Sequence, residues 1–248
     1  MKITEVTADV FAVEGHAANW ALIAEGDALT LVDAGYPGYH DDVLASISEI
    51  GHRLGDVEAV LITHAHVDHI GSLPRLLEKN PVPVLLSPTE AAHARREYLE
   101  QATTMDVVRN LWRPRVLPWA LHIMRNGAMN DPGVPSATDF GPVIGTGDVI
   151  DVPGRPVPVA TPGHTSGHTA YLVPGARVLL TGDALVTGHA LSASTGSQRL
   201  MTFFHHDLEA MDASLDVIAD IDADAIVPGH GPVFRGSPRD AVAQLRRG

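Results

Sequence analysis

A dense group of potential metal ligands follows a strand-like run near residue 60. The segment THAHVDHIG contains His64, His66, Asp68 and His69, four imidazole or carboxylate donors within six residues. Histidines two positions apart face the same side of an extended chain, which suits one metal, and the Asp–His pair that follows suits a second metal close by. A polar turn or a single structural metal is the plainer interpretation. Four donors this close together favour a metal-dependent hydrolase.

Three further donors stand in glycine-rich settings later in the chain. His164 lies in TPGHTSGH, Asp183 in TGDA and His230 in PGHG, each after a strand-like run. Each alone would be interpreted as an ordinary loop residue, but together they can complete a two-metal centre, with Asp183 able to bridge two ions through its carboxylate. Because the chain has no cysteine, disulfides and thiolate ligands are excluded, and imidazole and carboxylate must hold any metal.

Several other residues near these motifs have less certain roles. Asp33, in LVDAG, is expected either to orient a ligand histidine through its second ring nitrogen or to be a simple turn carboxylate. His168 either acts directly or satisfies backbone groups in its turn. The remaining histidines are expected mostly at the surface, with some at the mouth of the site; they are His16, His189, His205 and His206.

Composition and charge exclude several classes of protein. The chain has 248 residues, 45% of them hydrophobic, as expected for a globular protein. Its 17 basic and 30 acidic residues give a formal net charge of −13, which would repel a polyanion, so nucleic acid is not expected as a partner. The amino terminus lacks the apolar core of a signal peptide, and no run of eighteen apolar residues occurs. We therefore expect a cytoplasmic protein with a small-molecule substrate and no membrane association.

The pattern of apolar runs and turns predicts how the donors are positioned. Short strand-like runs before residue 62 predict a β-meander that passes into β-α-β units, with a hairpin at Glu25–Asp27 and a helix near Asp41–Gly51. Short strands return after Val143, with a helix over about Asp207–Ala219 and a terminal helix opened by Ser237 and Pro238. The donors then fall at strand ends, where catalytic groups commonly lie.

The region from Glu90 to Pro142 differs from its strand-rich flanks and predicts an inserted helical cap. Ser87–Glu90 forms a capping-box pattern, and apolar residues at helical spacing predict one long helix ending before Pro114. Pro118 and Gly127 bracket a second short helix. Five apolar residues can form a wall over the metals, pack on the body of the protein or make a homodimer contact; they are Trp112, Trp119, Leu121, Met124 and Met129.

Taken in order, these motifs resemble those of the metallo-β-lactamase superfamily. The resemblance covers the whole chain and implies a single α/β domain over residues 1–248, a four-layered αββα sandwich with the helical insertion at 90–142. It implies that His64, His66 and His164 bind one metal, that Asp68, His69 and His230 bind the other, and that Asp183 bridges them. Two divalent ions are implied, with zinc expected and iron or manganese as alternatives.

The expected activity is hydrolysis of an ester, lactone or thioester of a small, partly apolar substrate by a hydroxide bridging the metals, with Asp68 as a proton relay. The chain departs from several subfamilies. Only eighteen residues follow His230, whereas glyoxalase II adds a helical domain, and Ala184–Val186 occupies the place of the lactonase tyrosine. A β-lactamase-like amide hydrolase and a mononuclear-iron persulfide dioxygenase stay as alternatives, although the dioxygenase's arginine-containing segment is missing.

Overall fold

The computed structural model describes residues 1–131, 133–141 and 148–247; Pro142 and Val143, the predicted end of the cap and start of the second half, lie outside them. Two sheets account for the strands of these residues. The first contains β1 (Lys2–Thr7), β2 (Val10–Glu14), β3 (Asn19–Glu25), β4 (Ala28–Val32), β5 (Val57–Leu61), β6 (Val84–Leu86) and β7 (Thr138–Asp139). The second contains β8 (Val157–Ala160), β9 (Thr169–Val173), β10 (Val178–Gly182), β11 (Ala225–Pro228) and β12 (Phe234–Arg235).

The helices separate these strands in the way that the sequence pattern predicts for the body of the protein. They are α1 (His40–Glu49), α2 (Val67–Ile70), α3 (Leu73–Lys79), α4 (Pro88–Ala94), α5 (Thr104–Arg109), α6 (Val116–Arg125), α7 (Leu208–Ala219) and α8 (Pro238–Arg247). Strands β1 to β4 pair antiparallel as a meander, and β4 to β7 pair parallel. The predicted meander that passes into β-α-β units is therefore confirmed.

Alternating side chains along the strands divide the interior into three apolar layers. On β3, Leu22 faces a core shared with α1, α3 and α4, whereas its neighbours Ala21 and Ile23 face the second sheet. On β10, Leu180 faces the first sheet and Leu179 faces α7 and α8. Both sheets are thus buried on two faces, which gives the expected four layers, helices–sheet–sheet–helices.

The cap region differs from its prediction. The single long helix expected after Glu90 is two helices, α4 and α5, because Arg96 adopts a left-handed conformation with a φ of 62°. Its guanidinium donates to the carbonyl of His93 (2.7 Å) and pairs with Asp131, and both contacts hold the break. A new helix then begins at Thr103, whose side chain forms a reciprocal capping box with Asp106. Helix propensity predicted that this region is helical, but it did not predict the break at Arg96, which depends on a tertiary contact.

The first turn of α6 carries Pro118, as expected, and Gly127 follows the helix with a φ of 86°. Within residues 1–131, 133–141 and 148–247, we find no helix of the length and apolar character that spanning a membrane requires.

Candidate metal centre

The seven predicted donors meet at one edge of the sandwich, where both sheets end. His64 and His66 lie between β5 and α2, and α2 itself carries Asp68 and His69. The other three follow strands of the second sheet: His164 in the β8–β9 loop, Asp183 after β10 and His230 after β11. Strands β10 and β11 are parallel, so their carboxyl ends share this edge. Residues up to 166 positions apart in the sequence, 64 to 230, thereby form one cluster.

The first donor group contains three buried histidines. His64 Nε2 lies 3.1 Å from His66 Nδ1, and His164 Nε2 lies 3.1 Å and 3.0 Å from these two atoms. Nitrogen ligands in a tetrahedral zinc site lie about 3.3 Å apart, given Zn–N distances of about 2.0–2.1 Å. Burial, followed by the charge of neighbouring His69, holds the pKa of His64 well below its usual range, so its lone pair is free. The group matches one cation site.

The second donor group contains Asp68, His69 and His230. Asp68 Oδ2 lies 3.6 Å from His230 Nε2 and 3.9 Å from His69 Nε2. Burial by itself would lower the pKa of His69, but the carboxylates of Asp33, Asp68 and Asp183 raise that pKa to about 10. The negative charge around this ring therefore favours binding of a positive charge, which a divalent cation would supply.

Asp183 lies between the two groups. Its Oδ2 is 3.4 Å from His164 Nε2 and 3.1 Å from His230 Nε2, while Oδ1 is 3.6 Å from His69 Nε2. Among the described residues, neither Asp183 Oδ1 nor His69 Nε2 has a hydrogen-bond partner, although both atoms are buried. Buried polar atoms without partners are costly unless a bound ion satisfies them. The seven side chains therefore fit two divalent cations joined by one carboxylate.

Two glycines let Asp183 reach this position. Gly182 has a φ of 48°, and a side chain there would meet His168 Nε2 at 2.7 Å. A side chain at Gly229 would collide with Asp183 Oδ1 itself. In the TGD and PGHG motifs, a glycine next to the donor residue thus allows the close packing of backbone and side chain that the position of Asp183 requires.

Hydrogen bonds to the second ring nitrogen orient the histidines. Backbone carbonyls accept from two of them: Glu100 O from His66 Nε2 (2.6 Å) and Ala17 O from His230 Nδ1 (2.6 Å). Since a carbonyl can only accept, His66 Nδ1 and His230 Nε2 are left to face the site with free lone pairs.

Asp33 has the orienting contact that the sequence suggested. Its Oδ2 accepts from His69 Nδ1 (2.8 Å) and from the Thr63 hydroxyl (2.8 Å), and its Oδ1 accepts from Thr63 N (2.9 Å). It adopts a left-handed φ of 61°, which aspartate tolerates better than most residues. Asp33 therefore joins the strand end of β4 to the ligand loop after β5.

Replacing Asp33 by asparagine should weaken metal binding by about 10- to 100-fold, because His69 loses its charged acceptor. Competition with a chelator of known affinity measures this change. Asp41→Asn, which alters an exposed carboxylate on α1, is the control and should bind metal like the wild type. Equal affinity of the Asp33 and Asp41 variants would contradict the orienting role.

A buried network around Glu90 was missed by the sequence interpretation. The Ser87 hydroxyl accepts from Glu90 N (3.3 Å), so half of the predicted capping box is present. The other half is wrong: the Glu90 carboxylate turns inward and accepts from Ala65 N, His93 Nδ1 and the Thr165 hydroxyl, each at 2.7 Å. Burial would raise the pKa of Glu90, but these bonds outweigh it and lower that pKa. Glu90 thus ties both ligand loops to α4.

Glu100 extends this network. Its backbone N–H donates to His93 Nε2 (3.2 Å), and its carboxylate accepts from Ser166 N and the Ser166 hydroxyl, both at 2.7 Å. Its carbonyl is the acceptor for His66. The available sequence signal was Glu90 in the first turn after the Ser87–Pro88 helix start; no local pattern marked Glu100.

The remaining histidines divide between support and cavity lining. His168 is a positioning residue, since its Nε2 accepts from Asp183 N (3.1 Å) and burial lowers its pKa to about 4. His205 lies 3.3 Å from His164 Nδ1, and His189 lines the cavity above the site. His206 is half-exposed near Glu100. Of the four histidines expected at the surface or at the mouth of the site, His16 and His206 are exposed, His189 is at the cavity and His205 is half-buried beside His164.

A cavity of about 470 Å³ opens above the donors. Trp119 and Met129 of the predicted wall line it, whereas the other three predicted wall residues lie outside it and are exposed; they are Trp112, Leu121 and Met124. Tyr36 also lines the cavity. Burial, then the charge of Asp68, raises the pKa of Tyr36 well above its usual value, so its hydroxyl stays protonated.

Comparison with known proteins agrees with this architecture. The family model "Metallo-beta-lactamase superfamily" matches residues 13–230. Metallo-beta-lactamase domain-containing protein 1 of Xenopus laevis is 29% identical over 240 residues, covering 97% of this chain and 80% of that protein. A hydroxyacylglutathione hydrolase of Dechloromonas aromatica is 30% identical over 207 residues, covering 83% of this chain and 54% of that enzyme.

Among solved structures, a metallo-beta-lactamase family protein from Thermus thermophilus superposes with a TM-score of 0.67 at 22% identity, covering 98% of this chain and 79% of that one. At this identity the likeness concerns the fold alone. The family match, the paired sheets and the clustered histidines and aspartates agree with one another. The chain therefore belongs to the metallo-beta-lactamase superfamily, whose members are mostly metallo-hydrolases.

Proposed function

We propose that this protein is a binuclear metallo-hydrolase that cleaves an ester, lactone or thioester of a small, partly apolar substrate. The observation that carries the proposal is the position of Asp183, whose carboxylate lies between the donor groups, 3.4 Å from His164 Nε2 of the first and 3.1 Å and 3.6 Å from His230 Nε2 and His69 Nε2 of the second. A mononuclear site would need only one of the three donor triads that these side chains form. The reaction consumes one water and releases a carboxylic acid and an alcohol or thiol.

Each donor has a defined place in this proposal. His64, His66 and His164 would hold one cation, Asp68, His69 and His230 the other, and Asp183 would contact both. When bound, two divalent cations supply Lewis acidity and make water nucleophilic near neutral pH. Asp68 is 16% exposed in its side chain and lines the cavity, so it can accept a proton and pass it to the leaving group.

The relatives support the thioester part of the proposal. One of them is a hydroxyacylglutathione hydrolase, of which this chain covers about half the length. We also propose that residues 90–142 act as a cap on a single domain, since α5 and α6 contribute Val107, Trp119 and Ile123 to the cavity. The cytoplasmic location, the absence of nucleic-acid and membrane partners and a homodimer through the cap stay predictions.

Metal analysis combined with a substrate panel tests the proposal. We expect two equivalents of zinc per chain by mass spectrometry, and hydrolysis of neutral esters, lactones or thioesters that stops after chelation and returns with added zinc. One equivalent of iron together with oxygen consumption would instead establish the dioxygenase alternative. Hydrolysis of a β-lactam amide in preference to the esters would establish the amide hydrolase alternative.

A further inference from the structure

Away from the donor residues, most of the cavity wall is apolar. The cap helices contribute Val107, Trp119 and Ile123, and Leu200 and Phe204 lie on the opposite side. The rings of Trp119 and Phe204 are in edge-to-face contact, with centroids 5.8 Å apart, so cap and body close against each other here. An acyl chain entering this space would contact hydrocarbon on both sides.

The cavity contains no fixed positive charge. Although the chain has 17 lysines and arginines, none lines the cavity within residues 1–131, 133–141 and 148–247, and the residues outside those ranges include neither type. Arg96 is near the rim but is already paired with Asp131, a lining residue. The polar lining away from the donors is mainly neutral, with Gln101, Thr103 and Thr104 able to donate and accept hydrogen bonds.

An anionic group on the substrate, placed away from the metals, would thus lose its hydration without gaining an ion pair. We propose that the natural substrate is uncharged on both sides of its scissile carbonyl: an apolar acyl chain joined to a neutral alcohol, thiol or lactone oxygen. This inference rests on the proposed hydrolase function and makes it specific. Glutathione thioesters, which carry two carboxylates on the thiol, are then poor substrates, in contrast to the function named for one relative.

A set of matched thioesters tests each side of the carbonyl separately. The hexanoyl and adipoyl thioesters of N-acetylcysteamine differ only at the far end of the acyl chain, where adipoyl carries a carboxylate in place of a methyl group, and S-hexanoyl-N-acetylcysteine adds one carboxylate to the leaving thiol alone. For the zinc-loaded protein we expect kcat/KM at least about 100-fold lower for both anionic compounds, because a buried charge without a partner is strongly disfavoured. Equal kcat/KM for the neutral and anionic acyl compounds would overturn the inference.

Introducing a cation should reduce this discrimination. Leu99 lines the cavity and is 54% exposed, so a lysine there can reach the cavity without being buried. Leu99→Lys should raise kcat/KM for the adipoyl compound by about 10-fold relative to the hexanoyl compound. Leu117→Lys is the matched control, because Leu117 is 53% exposed on α6 and lies outside the cavity lining, so it adds the same net charge elsewhere.

Binding of two dyes decides the inference independently of turnover. N-phenyl-1-naphthylamine and 8-anilinonaphthalene-1-sulfonate share an aromatic skeleton and differ by one sulfonate. By fluorescence titration, the neutral dye should bind at least about 10-fold more tightly, and Leu99→Lys but not Leu117→Lys should narrow this ratio. If no thioester or ester is hydrolysed, the proposed function fails, while the dye ratio still supports or overturns the uncharged cavity preference. A sulfonate dye that binds as tightly as the neutral one in the wild type overturns it.

Discussion

Replacing Asp183 by asparagine should lower kcat by at least about 1000-fold and reduce bound metal from two equivalents to one or fewer. The carboxylate lies 3.4 Å from His164 Nε2 of the first donor group through Oδ2, and 3.6 Å from His69 Nε2 of the second group through Oδ1. An amide keeps only one acceptor oxygen and carries no charge, so it cannot serve both donor groups. Loss of several kcal/mol of charge stabilisation in the transition state corresponds to about three decades in rate. Steady-state kinetics and metal analysis of the same preparation measure both effects.

The fold should survive this change, because asparagine has nearly the shape of aspartate and keeps one acceptor oxygen. Circular dichroism and thermal unfolding of the chelated protein check this point. Asp222→Asn is the control: its carboxylate is 83% exposed and pairs with Arg177 on the surface, so kcat and metal content should match the wild type. Wild-type turnover with two bound metals in the Asp183 variant would refute the bridging role.

Replacing Glu90 by alanine should lower the free energy of unfolding by about 3–5 kcal/mol, since three buried donors lose their acceptor and each such loss costs about 1–3 kcal/mol. The change removes the acceptor for Ala65 N, His93 Nδ1 and the Thr165 hydroxyl, all buried. The melting temperature should fall on the order of 10 °C. Because Ala65 and Thr165 are in the two ligand loops, metal affinity should fall as well. Calorimetry with and without zinc measures both quantities.

Two variants define how specific the Glu90 effect is. Glu90→Gln keeps acceptor oxygen but loses the charge, so its destabilisation should lie between those of the wild type and the alanine variant. Glu97→Ala removes a carboxylate that is 57% exposed and pairs with Arg95, so it should change stability by no more than about 0.5 kcal/mol. If Glu90→Ala and Glu97→Ala unfold at the same temperature, the Glu90 network does not stabilise the ligand loops.

The local sequence pattern did not predict the helices of the cap correctly, because a tertiary contact determines where the chain turns. A hydrophobic stripe at helical spacing predicts one helix, but Arg96 turns the chain because Asp131, 35 residues later, binds its guanidinium. Trp112, one of the five apolar residues expected in a wall, against the body or in a homodimer contact, is 77% exposed. The wall over the metals was likewise predicted only in part, with Trp119 and Met129 lining the cavity.

The sequence by itself determined the donors and the layers of the fold. Four ligands stand within six residues, and the spacing of HAHVDH depends only on local backbone geometry, so the metal chemistry can be inferred without a structure. For Asp33 the sequence left two possibilities, an orienting carboxylate and a simple turn carboxylate, and its hydrogen bond to His69 Nδ1 supports the first. Alternating apolar residues similarly predicted the strands.

Only the tertiary structure decided how the donors are supported and what surrounds them. Glu90 has the sequence signature of a helix cap, yet its carboxylate bonds to partners 25 and 75 residues away, which no local pattern encodes. The absence of lysine and arginine from the described cavity lining depends in the same way on which residues of the cap and the body meet. Trp119 of the cap and Phe204 of the body are one such pair in contact. The identity of the donor residues can be predicted from local sequence motifs. The hydrogen bonds that hold these donors and the charge of the cavity depend on residues that are distant in sequence, and only folding brings those residues together.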